Sequence, residues 1–72
     1  MSETLNELLL AIQYEARADR ESRKMSAVAE AIQSGRIPTE DEIQNAARAA
    51  VRVRVLLRMA QGCHTRADKA ER

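Results

Sequence analysis

Cys63 and His64 are the chain's only cysteine and only histidine, and they stand side by side. A thiol next to an imidazole suggests either a nucleophile with its base or half of a metal site. Zinc asks for about four ligands, and no second pair exists here. A nucleophile and base also need fixed mutual geometry. Residues 63–72 are polar and read as a flexible C-terminal tail that cannot supply it. A thiol there could at most cross-link subunits under oxidation. No HExxH pair or glycine-rich phosphate loop is present. The expectation is a non-enzymatic chain with no catalytic, cofactor-binding or metal-ligating residue.

Arginine is the other chemistry on offer. Residues 45–59 carry Arg48, Arg52, Arg54 and Arg58 and no acid. Val51, Val55 and Met59 recur among them at i, i+4 and i+8, so on a helix they form one row with arginines on both flanks. A guanidinium offers planar, bidentate hydrogen bonds to carboxylate or phosphate. An apolar row walled by arginine, with a methionine at one end, is common on protein-binding surfaces. Three uses compete: burial in a subunit interface, an acidic or apolar patch on a second protein, and phosphates of nucleic acid. Against the last stand a net charge of only +1, from 12 basic and 11 acidic residues, and valines where stacking rings would be expected.

The elements that position this row are helices. Thr4 and Glu7 have capping-box spacing, with Ser2 as a competing cap. Nothing interrupts the pattern before Ser34-Gly35, so a first helix is expected over about 3–34, roughly 45 Å long. Gly35 suits a left-handed helix end, and Pro38 keeps Ile37 out of helix. Thr39 and Glu42 form a second capping box. A second helix follows over about 40–61, closed by Gly62. A turn as short as 35–38 implies an antiparallel hairpin. Ile43, Ala46, Ala50, Val53, Leu57 and Ala60 alternate three and four apart, which marks the expected seam.

The first helix has two apolar sets nearly opposite each other. One is Leu5, Leu8, Leu9, Ile12 and Ala16, and the other is Leu10, Tyr14, Ala18, Met25, Val28 and Ile32. Glu21 falls on the second stripe, where it must find an arginine or mark a polar layer. Residues 15–24 otherwise read as a solvated, charged waist. Residues 63–72 being assigned to a tail, the second helix is shorter by about ten residues, or roughly 15 Å. The leucine-rich start of the first helix would then overhang. A second copy covering Leu5, Leu8, Leu9 and Ile12 would give a four-helix homodimer. Composition agrees, since Tyr14 is the only aromatic residue and a chain this small struggles to build a sufficient core alone.

No apolar run approaches the ~20 residues of a membrane span. Leu8–Ile12 follows acids and lacks the basic start of a signal peptide. A soluble cytoplasmic protein is therefore expected, and no membrane partner. In size and plan, residues 4–61 resemble the small helical-hairpin homodimers of phages and plasmids, through two capping boxes, the Gly35–Pro38 turn and the 43–60 seam. Among these are Rop-type RNA-binding hairpins and phage early proteins that bind host regulators. The resemblance implies an all-α hairpin that dimerises into a bundle and acts as an accessory regulator. The partner-binding candidates are Arg48, Val51, Arg52, Arg54, Val55, Arg58 and Met59. Two alternatives stay open: a nucleic-acid-binding hairpin and a purely structural oligomerisation module.

Overall fold

The computed structural model describes residues 2–70, which form two α-helices and no strand. The first, α1, spans Glu3–Gln33 and the second, α2, spans Glu40–Ala70. Ion pairs between Glu7 and Arg66 and between Glu21 and Arg52, each 3.0 Å, show that the helices run antiparallel. The fold is an all-α helical hairpin.

Local chemistry explains each boundary. The Ser2 hydroxyl accepts from the Leu5 N–H at 3.2 Å, so Ser2, not Thr4, is the first cap. At the far end Gly35 takes φ 79°, and the Gly35 and Arg36 N–H groups bond back to the Ile32 and Ala31 carbonyls. This left-handed closure satisfies carbonyls that the helix end would otherwise orphan. Thr39 and Glu42 cap α2 reciprocally: the Glu42 N–H donates to Thr39 Oγ1 and the Thr39 N–H donates to Glu42 Oε1. Arg36 then grips both Glu42 oxygens at 2.8 Å.

The seam is built from small residues. From α1, Ala11, Ala18 and Ala31 are buried and Tyr14, Glu21 and Val28 partly so. From α2, Ala49, Leu56, Ala60, Cys63 and Ala67 are buried, with the half-buried Ala46 before them and Val53 among them. On α2 this row alternates three and four apart from 46 to 67, a heptad seam. The expected seam shared only Ala46, Val53 and Ala60 with it. Ala50 is half-buried, while Ile43 and Leu57 are exposed. On α1, Leu10, Met25 and Ile32 of the expected stripe likewise remain exposed. On α1 the observed seam puts Ala11 and Ala31 where the expected stripe puts Leu10 and Ile32. Interaxial distance follows side-chain size, so the alanines let the helices approach closely.

The second helix does not stop at Gly62. It continues to Ala70, and Cys63 and Ala67 extend the seam beneath Glu7 and Ala11; residues 71 and 72 of the expected tail lie outside the described residues. Arg66 and His64 add cross-helix bonds to Glu7 and Glu15. Interior glycine costs about 1 kcal/mol against alanine, and these contacts offset it. Both helices are 31 residues long, so no overhang exists. Leu5, Leu9 and Ile12 are nonetheless 55%, 46% and 63% exposed, because α2 covers only one side of α1, and Leu8 is half-buried. A Cβ at Gly62 would meet only the end of the Arg66 side chain, at 3.4 Å. Gly62→Ala should therefore stabilise the hairpin by about 0.5–1 kcal/mol and raise Tm by a few degrees. A lower Tm in a thermal melt would contradict a helix through this position.

The turn carries a pH-sensitive clamp. Arg36, followed by the Thr39 N–H, holds the Glu42 carboxyl at about 2, against an ordinary 4.5. Its folded value lies below its unfolded one. The stabilisation is thus complete above about pH 4.5 and disappears as pH falls through about 2. Melts between pH 5 and 2 should show Tm falling, less steeply in Glu42→Gln, which starts from a lower Tm at neutral pH. Identical slopes in the two proteins would count against the clamp.

Candidate functional site

Close helix packing leaves Val51, Val55 and Met59 outside the seam, all exposed. They face a groove of about 410 Å³ along one side of the hairpin, floored by Val51, Val55, Leu56 and Met59 and edged by Arg17, Arg20, Glu21 and Arg52. A second cleft of about 370 Å³, lined by Lys24, Ala27, Glu42, Asn45 and Arg52, continues it toward the turn. Arg52 belongs to both.

Register explains which residues meet here. The pairs Glu7–Arg66 and Glu21–Arg52 are two heptads apart on each helix, so they mark a single flank of the rod. Glu21 is the acid on the apolar stripe, and it is paired: Arg52 Nε donates to Oε2 at 3.0 Å, and Lys24 lies 3.4 Å away. The Arg52 hydrogen bond is the main reason that the Glu21 carboxyl titrates below its ordinary range. One acid thus serves two cations. Arg17 and Arg20 form no ion pair among the described residues and present free guanidinium groups to the groove.

Of the seven residues expected to contact a partner, Val51, Arg52, Val55 and Met59 come together in the groove. Arg48 lies one turn before Arg52, outside the lining. Arg54 and Arg58 are exposed on another side of α2 and do not edge the groove. Sequence reasoning missed Arg17 and Arg20, which were absorbed into the charged waist of the first helix. The signal was there, since antiparallel pairing of Glu21 with Arg52 brings Arg17 and Arg20 beside Val55 and Met59.

Cys63 and His64 do not face each other. The helix turns the Cys63 thiol into the seam, 1% exposed, where Arg66 Nη2 approaches it at 3.3 Å. That burial removes it from reach of a second subunit's thiol. His64 Nε2 lies 2.8 Å from Glu15 Oε1 on the opposite flank from the groove. No cluster of three metal-ligand residues occurs among the described residues, and no helix there is long and apolar enough to cross a membrane.

The fold and groove together define a helical hairpin with an apolar cleft edged by arginine. Comparison with protein families, curated proteins and solved structures finds no match.

Proposed function

We propose that the protein is a non-enzymatic, homodimeric helical hairpin of the cytoplasm that binds a second protein and modulates its activity. The observation that carries this reading is the groove: a continuous apolar floor with two arginines that form no ion pair among the described residues. Its complement is an amphipathic helix that lays apolar side chains on Val51, Val55 and Met59 and carboxylates toward Arg17 and Arg20. Buried apolar anchors would supply most of the affinity, and arginine the orientation. The role is that of an accessory regulator, in keeping with the resemblance to phage and plasmid hairpins that act on host regulatory factors.

Self-association has its own support. The radius of gyration is 16.2 Å, in a rod of 52 × 16 × 16 Å. A compact chain of this length would have about 11 Å. The buried residues are mostly alanine, while a dozen large aliphatic side chains are exposed. Fully burying one Leu, Ile or Val is worth about 1.5–3 kcal/mol, so the larger reserve of burial lies outside the hairpin.

One binding experiment checks the partner site. Affinity capture at low salt with the native protein should enrich a discrete acidic partner, and Val55→Glu/Arg20→Glu should weaken its binding at least about tenfold, a loss of ~1.4 kcal/mol. Equal capture by a folded double variant would reject the groove. A salt titration with RNA and duplex DNA covers the alternative use of the arginines, since phosphate contacts give a steep salt dependence.

A further inference from the structure

The flank opposite the groove differs from it in charge and shape. The bond between Glu15 and His64 fixes that flank. Positions 8, 15, 22 and 29 of α1 and 43, 50, 57 and 64 of α2 share it, each row being spaced by seven. Ile43 and Leu57 are 51% and 49% exposed there, and Ile12, four residues after Leu8 and three before Glu15, lies on the same side of α1. Acid and base are balanced on this side by Glu15 with His64 and Asp19 with Arg23. The groove side sets Arg17, Arg20, Lys24 and Arg52 against Glu21 and Glu42, and Glu42 is already held by Arg36.

We propose that a second copy of the chain docks on the balanced flank, through Leu8, Ile12, Ala50 and Leu57 around the Glu15–His64 pair, and leaves both arginine grooves facing outward. This rests on the homodimer reading above and identifies its surface. A two-fold interface joins a surface to itself, so the surface must be self-complementary. With the copies turned end for end, Leu57 meets Ala50, Leu8 meets Ala29 and Glu15 meets Ser22, large against small in three of the four pairs, while His64 meets Ile43. Groove to groove, two copies would instead bring eight cations together with four acids, an excess of positive charge that like-charge repulsion disfavours. Area points the same way. The accessible surface is 5457 Å², whereas a folded monomer of this mass has about 4,500 Å². The excess is close to the ~800 Å² that one partner contributes to a standard interface. Leu9, on the far side of α1, lies outside this surface.

Sedimentation equilibrium across a concentration series reads the result. Wild type and Val55→Glu should both sediment at twice 8.1 kDa. Leu57→Glu and Ile12→Glu should shift to the monomer mass, with at least a tenfold rise in dissociation constant. Ile12 is the more exposed of the two, so it carries the test if Leu57→Glu loses helix by circular dichroism. Dissociation by Val55→Glu, with Leu57→Glu and Ile12→Glu still dimeric, would overturn the proposal and place the interface in the groove. A monomeric wild type would overturn the homodimer reading itself.

Discussion

Everything in this molecule follows from how little space its two helices leave between them. Ala11, Ala18, Ala31, Ala49, Ala60 and Ala67 occupy the seam, and only Leu56 adds a large buried aliphatic. Small side chains permit close axes, and close axes exclude large ones. Valine, leucine, isoleucine and methionine are pushed to the flanks and outer surfaces. The hairpin is held by shape along its seam, by caps at its turn and by charge pairs along its edges. Its apolar surface is largely unspent.

That constraint also shows why sequence reading worked where it did. The Ser2 cap, the Thr39–Glu42 capping box, the Gly35–Pro38 turn and the absence of strand patterning specify a hairpin without reference to tertiary structure, because each acts over a few residues. Glu21 was legible too, since an acid on an apolar stripe must find a cation. The seam was harder. Two registers of α2 share the same three-four alternation, and only the packing partner decides between Ala49 with Leu56 and Ala50 with Leu57. Gly62 misled for a related reason. Glycine is a good helix terminator in isolation, but here seam contacts on both sides of it carry the helix through. Half of the groove was invisible because it depends on register: Arg17 and Arg20 look like ordinary surface charge until α2 is laid beside them.

Charge is distributed to match. Counting 15–24 and 48–58 together, eight cations face three acids, while the turn and open ends are net acidic. The Arg52–Glu21 pair of that waist and the neighbouring Glu15–His64 pair lie on opposite flanks. One flank keeps a surplus of guanidinium and the other is balanced. A rod only two helices wide therefore offers two chemically distinct long faces, and neither is needed for the seam.

The turn clamp described for Glu42 has a consequence for how the chain reaches this state. Contacts near Gly35 join residues close in sequence, whereas the Glu7–Arg66 bond at the open end spans a separation of 59 residues. Closing small loops first costs less chain entropy than closing the large one at once. The favourable route is a zipper that starts at the Arg36–Glu42 clamp and adds seam layers one turn at a time toward the open end. Thr39, Glu42 and Arg36 thus set the starting point of assembly, and each alanine layer propagates it. Acid that loosens the clamp would slow closure as well as weaken the finished hairpin, so folding speed and turn chemistry are tied to the same carboxyl group.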